Sequence, residues 1–134
     1  LKEPKYYFYD AADIEKGFGA RLENTVAAAL LKEVHWIEDT TGRKAALHYL
    51  RDKEKNEVDF LVVVDGRPLV MVEVKTGDDN FDKSLFRFRK YLPNVRCVQV
   101  VYGLRRKKSS RGVEMVAAHE FLSDLNAFLD LETM

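Results

Sequence analysis

The two most apolar stretches of the chain are residues 57–64 (EVDFLVVV) and 68–75 (PLVMVEVK). Their β-branched content predicts two neighbouring strands, and Asp65-Gly66-Arg67 between them predicts a hairpin. Upstream the period changes. From Phe18 to Trp36, the residues Leu22, Val26, Ala29, Leu30 and Val34 recur at spacings of three and four, which predicts an amphipathic helix. Strands are expected over 45–52 and 95–103, and a short aromatic strand over 5–10, with loop over 11–19. Residues 78–92 carry aspartates at their start and Pro93 just after them, which predicts a helix. The basic run RRKKSSR (105–111) reads as a loop, 112–118 as a short edge strand and 119–131 as an amphipathic closing helix. Helices alternating with apolar strands predict an α/β/α sandwich, in which a central mixed sheet is buried between helices.

Composition narrows the class. With 134 residues, 46% apolar and 33% charged, the chain suits one folded domain and argues against disorder. No apolar run nears the 18 residues of a membrane span, and the start, LKEPKYYFYD, has no apolar signal core. The chain opens without Met close to an expected strand, so it reads as a fragment of a longer protein. Cys97 lies alone in an apolar run, which permits no internal disulfide. It reads as a buried thiol in a cytoplasmic protein. The net charge is zero but uneven. Residues 61–111 carry twelve basic and five acidic groups, a surplus of seven. Residues 112–134 carry five acidic groups and no basic one. One basic face on a neutral domain is the expectation.

The hairpin carries Glu57, Asp59, Glu73 and Lys75 within its apolar runs. Alternation places Glu73 and Lys75 on one face. Whether Asp59 meets Glu73 depends on the turn. A two-residue turn pairs Asp59 with Val72, a three-residue loop pairs it with Glu73, and a bulge rescues the second pairing from the first turn. The expectation is that the two carboxylates share a face. Two buried carboxylates repel, and a divalent cation such as Mg²⁺ or Mn²⁺ removes the conflict, with the Val74 carbonyl as a further oxygen donor. Lys75 is then placed to orient or help deprotonate water, or to stabilise charge on a phosphate. Glu23 falls on the apolar stripe of the first helix and so needs a partner in the core. The plainer alternatives are a same-face ion pair for Glu73 and Lys75, a loop cap for Asp59 and a snorkelling Glu23.

Glu23 on a first helix, Val58-Asp59 on a strand and Glu73-Val74-Lys75 on the next resemble the PD-(D/E)xK nuclease superfamily. The wider pieces YFYD, RLENTVAAAL, NEVDFLVV, VEVKTG and VVYG resemble one branch of it. That branch is a domain of unknown function found C-terminal to P-loop ATPase modules in bacteria and archaea. The resemblance runs over roughly residues 5–131, with Val58 in place of the motif's proline. It implies a restriction-endonuclease-like fold and metal ligation by Asp59 and Glu73. It also implies a catalytic Lys75, a supporting Glu23 and an upstream ATPase domain. The chain itself has no GxxxxGK[S/T] and so no visible nucleotide site of its own.

For nucleic acid, DNA foremost, the expected phosphate contacts are Arg105, Arg106, Lys107, Lys108, Arg111, Lys83 and Arg87, although a dense charge run is often only a solvated loop. Phe86 and Phe88, between arginines, are either base-stacking rings or core. The three histidines lack zinc-ligand spacing, and His35-Trp36 reads as the end of the first helix. Two functions from different classes follow. One is a metal-dependent nuclease domain that hydrolyses phosphodiesters. The other is a catalytically silent module that docks DNA or protein for the ATPase. A purely structural dimerisation domain is a third.

Overall fold

The computed structural model describes residues 5–6, 17–77 and 79–129. They form strands β1 (Lys5–Tyr6), β2 (Ala45–Arg51), β3 (Glu57–Val64), β4 (Arg67–Lys75), β5 (Arg96–Val101), β6 (Lys108–Ser110) and β7 (Val113–Ala117). Four helices accompany them, α1 (Phe18–Thr41), α2 (Lys83–Tyr91), α3 (Ala118–Ser123) and α4 (Leu125–Phe128). The strands make one sheet in the order β1-β2-β3-β4-β5-β7-β6. Pairing is antiparallel except at β4–β5 and β5–β7, which are parallel. The expected mixed α/β sandwich is therefore what the chain forms. The core on one face joins Leu22, Val26, Leu30, Phe60, Val72, Val98 and Phe121. The core on the other joins Leu50, Val58, Leu61, Met71, Leu85, Phe88 and Cys97. So α1, α3 and α4 cover one side and α2 the other.

Both tight hairpins use the same device. Asp65 and Gly66 have φ of 51° and 76°, and Arg111 and Gly112 have 48° and 82°. Two successive positive φ values give the twist that antiparallel strands need across a two-residue turn. The second turn corrects the sequence reading, since Arg111-Gly112 folds Lys108–Ser110 back onto Val113–Met115. Three residues of the expected basic loop, Lys108–Ser110, are thus edge strand β6, and 113–117 lies inside the sheet between β5 and β6.

Helix ends also move. α1 runs five residues beyond Trp36 before Gly42, at φ 73°, stops it with its N–H on the Glu38 carbonyl. Phe18 and Gly19, where the expected loop and the expected helix overlap, belong to it. Residues 79–82 are not helical, because Asp82 is the cap of α2, accepting from the Ser84 N–H. The closing helix breaks at Asp124 (φ −143°), where the Ser123 hydroxyl bonds back to the Glu120 carbonyl. The apolar spacing of Phe121, Leu125, Phe128 and Leu129 continues across the break, and all four are buried. Of the expected aromatic strand, Lys5 and Tyr6 pair with β2. Tyr7–Asp10 and most of the loop that follows lie outside the described residues.

Gly112 is constrained twice. Besides its positive φ, a Cβ there would collide with the Arg89 guanidinium. Gly42, at a similar φ, has open space around it. Gly112→Ala is therefore expected to lower unfolding free energy in urea by about 2 kcal/mol, and Gly42→Ala by about 1 kcal/mol from the backbone alone. Equal losses would show that Arg89 yields without cost.

Candidate functional site

The hairpin β3–β4 has the two-residue turn, with Val64 opposite Arg67. Its register then slips between Val62 and Val63, because Val63 faces Pro68 while Val62 faces Val70. Leu69 is the extra residue. This bulge sets Phe60 opposite Val72, the last pair of the ladder, and brings Asp59 level with Glu73. The expected meeting thus arises through the bulge.

A second irregularity shapes it. β2 pairs His48 with Leu61 but Leu50 with Val58, so Asp59 and Phe60 together oppose Tyr49. Val58 packs on the α2 side of the sheet and Phe60 on the α1 side, although they are two apart. Alternation therefore slips by one at Asp59. The simple common face is replaced by a gap between two strands into which both carboxylates reach. The Asp59 N–H donates to Glu73 Oε1 at 3.0 Å, and the Val74 N–H donates to Asp59 Oδ2 at 2.9 Å. Backbone donors at the end of the ladder are thus satisfied by side chains. The N–H and C=O of one strand residue lie on the same edge, so the Val74 carbonyl is aimed at this gap too.

The electrostatics are severe. Glu73 is only 8% exposed. Burial pushes the Asp59 carboxyl well above the usual range, and the charges of Glu73 and Glu23 push it further. Burial also raises Glu73, with Asp82 adding to it, while the Asp59 N–H and Lys75 relieve part of the strain. Glu23, half-buried on α1, is thus within electrostatic reach of Asp59. Lys75 Nζ lies 2.8 Å from Asp82 Oδ2 and 3.5 Å from Glu73 Oε2. Burial opposes its charge, but these two carboxylates outweigh that and raise its pKa.

Asp82 and Gln99 are site residues that sequence reasoning missed. Asp82 keeps its negative charge through Lys75 and Ser84 against the penalty of partial burial. Gln99 is fully buried on β5, beside Glu73. Its Oε1 accepts from the Asp82 N–H and its Nε2 donates to the Asn80 carbonyl, both at 2.8 Å. It fixes the loop from which Asp82 holds Lys75. The available signals were a glutamine inside the apolar run VRCVQVV and Asp-x-Ser before a helix, the pattern of a cap.

Among the described residues, no three His, Cys, Asp or Glu side chains gather as a ready metal cage. The donor set at the gap is two carboxylates and one carbonyl. Hard oxygen donors of this number suit Mg²⁺ or Mn²⁺, which keep waters in the other positions. The raised pKa values of Asp59 and Glu73 point the same way, because a pocket that resists double ionisation gains from a cation.

The basic residues divide. Arg105, Arg106, Lys107 and Lys108 line a groove of about 690 Å³ with Gly77, Asp79 and Tyr102, at the end of β5 beside Lys75. Arg105 and Arg106 are exposed and form no ion pair among the described residues. Lys107 and Lys108 make only exposed pairs with Glu120 and Asp79, worth about 0–1 kcal/mol. Lys83 is exposed at the start of α2. Arg111 instead lies over the Phe86 ring, 4.1 Å from its centroid. Arg87 is bound to Asp52 at 2.9 Å and to Glu54. Burial disfavours the Asp52 charge, but Asn56 and Arg87 overcome it and pull the carboxyl down to about 2. Arg87, expected to contact phosphate, instead has its guanidinium engaged in tying α2 to the β2–β3 loop. Phe88 is buried and Phe86 packs on Phe81, so neither is an open stacking ring. Cys97 is the expected inert thiol, with burial pushing it up to about 11.

A mixed α/β sandwich with a carboxylate pair and a lysine at a splayed hairpin, beside a basic groove, is the class of protein that this geometry defines. A model for a domain of unknown function, DUF4143, matches residues 18–121, and the chain belongs to that family. No curated protein and no solved structure matches it.

Two outcomes are expected. In EDTA, Tm should fall as pH rises from about 5 to 9. Carboxyls with raised folded-state pKa bind more protons folded than unfolded above about pH 4, so stability is lost as they ionise. Lys75, also raised, keeps its contribution throughout that window, and the loss from Asp82 comes only below it. In Glu73→Gln the fall should be markedly shallower, and an unchanged slope would remove the pair as its source. Separately, Arg87→Ala should lower Tm without weakening the binding of a labelled oligonucleotide. A loss of affinity at unchanged Tm would restore Arg87 to the phosphate-contacting set.

Proposed function

We propose that this is a nuclease-like domain of the PD-(D/E)xK type, which binds nucleic acid and hydrolyses phosphodiester bonds with a divalent metal. The observation that carries the reading is the pairing of Asp59 with Glu73 across the splayed hairpin, with Lys75 on the same strand and the basic groove beside it. DNA is the favoured substrate. The proposed setting is cytoplasmic, as the C-terminal module of a P-loop ATPase. Among the described residues no helix is long and apolar enough to cross a membrane.

In this reading Asp59, Glu73 and the Val74 carbonyl hold Mg²⁺ or Mn²⁺. Such an ion supplies charge neutralisation at the phosphate and a more acidic water. The chain's own residues do the rest. Arg105, Arg106 and Lys107 draw the backbone to the groove. Lys75, kept protonated by Asp82 and Glu73, donates to a phosphate oxygen and stabilises the charge that grows there. That favours an electrostatic role for it over the role of a base. Gln99 positions Lys75 through Asp82, and Glu23 adds negative potential on the α1 side. In the net reaction an oxygen of water bonds to phosphorus, the bond to the leaving sugar oxygen breaks, and that oxygen takes a proton.

The silent docking module keeps one observation in its favour. The Lys75 ammonium already lies 3.5 Å from Glu73, where it offsets part of the negative charge that would attract a cation.

Mn²⁺ titration calorimetry separates the two. Saturable binding by the wild type, lost in Glu73→Ala and retained in Lys75→Ala, is expected. Cleavage of single- and double-stranded DNA should drop about a hundredfold or more in Lys75→Ala. A wild type that binds oligonucleotide but takes up no Mn²⁺, alone or with the oligonucleotide present, is the docking module.

A further inference from the structure

The basic groove ends in an aromatic pair that the nuclease reading leaves without a role. Tyr102 follows β5 directly, and its N–H donates to the Lys75 carbonyl at 3.0 Å, which ties it to the strand that carries the site. Tyr102 is 54% exposed, and Phe18, the first residue of α1, is 45% exposed. The two rings meet edge to face, with centroids 4.7 Å apart and planes at 74°. That contact fixes the tilt of the tyrosine while the residue stays exposed. Here Tyr102 shares its groove with Arg105, Arg106 and Lys107, and its backbone is tied to the end of β4 at Lys75.

Base faces are covered by their neighbours within a duplex and are free in an unpaired strand. An open ring beside a cationic groove is the arrangement that holds single strands, with the groove taking phosphates and the ring taking one base. We infer that Tyr102, braced by Phe18, is a base-stacking platform, and that the domain takes an unpaired strand or a frayed end through the Arg105–Lys108 groove toward Lys75. This inference rests on the nucleic-acid reading above and names its substrate class. It adds two residues to the binding surface, neither of them among the charged groups. The ring also gives direction, because a base seated on Tyr102 leaves the adjoining phosphate next to the end of β4.

The test is fluorescence anisotropy with a labelled thymidine oligonucleotide of about 15 nucleotides and a blunt duplex of equal length, in Ca²⁺, across a salt series. The wild type should bind the single strand at least about tenfold more tightly than the duplex. Tyr102→Ala should weaken single-strand binding about fivefold to a hundredfold, leave duplex binding and the salt slope unchanged, and be restored by Tyr102→Trp. An Arg105→Ala/Arg106→Ala variant should weaken both substrates and flatten the single-strand salt slope by about 1.4. Tyr102 is exposed, so a Tm within about 2 °C of wild type is expected and excludes misfolding as the cause. Wild-type preference for duplex, or a Tyr102→Ala variant that binds single strands as well as wild type does, overturns the platform and leaves the nucleic-acid reading standing. No binding of either substrate by the wild type overturns that reading and the platform with it.

Discussion

The structure turns on one constraint: two carboxylates occupy the place where a β-ladder would continue. β3 and β4 pair as far as Phe60 and Val72, and there the sheet hydrogen bonds pass to side chains. Each carboxylate is oriented by a backbone N–H that cannot move without unpairing the strand. Their burial makes simultaneous ionisation costly, and the lysine nearest them is shared with Asp82. The pocket is therefore rigid and short of positive charge. A sheet built only for stability would replace such groups with apolar ones, since paired burial of like charges offers no net gain.

That pocket exists only because the register is set elsewhere. The Asp65-Gly66 turn alone would have left Asp59 opposite Val72. The extra residue at Leu69 moves it opposite Glu73, and the slip at Asp59-Phe60 then turns it into the gap. Parallel pairing of β4 with β5 adds the third component, because it places Gln99 beside Glu73 and carries the chain on to Tyr102 at the level of Lys75. Two bulges and one parallel pairing thus assemble residues from α1, β3, β4, β5 and the loop before α2.

Much of this was legible in the sequence because it depends on period. The strands 57–64 and 68–75 and the stripe of α1 are long enough for alternation and the 3.6 repeat to be clear, and the four charges stand out against them. Features set by a single backbone conformation were not legible. Arg111-Gly112 looks like the end of a charged loop until its two positive φ values make it a hairpin. Asp124 breaks a helix whose apolar spacing does not change. Arg87 looks like its basic neighbours, and only its contact with Asp52, 35 positions away, shows it to be structural. Asp82 belongs to the site through its carboxylate on Lys75, and Gln99 through the Asp82 N–H, contacts that no spacing rule anticipates.

The division of charge carries the last step. The chain is neutral, yet it sets an acidic gap beside a basic groove. On the proposed reading, phosphate alone is repelled by Asp59, Glu73 and Glu23. A cation alone meets only two carboxylates, each already holding an N–H, with Lys75 nearby. Brought together, cation and phosphate each screen what opposes the other, while the exposed pairs of Lys107 and Lys108 open at little cost. Their binding is then coupled, and linkage requires the coupling to be equal in both directions. A site of this kind holds either component weakly and both well. This follows from burying two carboxylates with one shared lysine, and it restrains the pocket from engaging the cell's free cations when no strand lies in the groove.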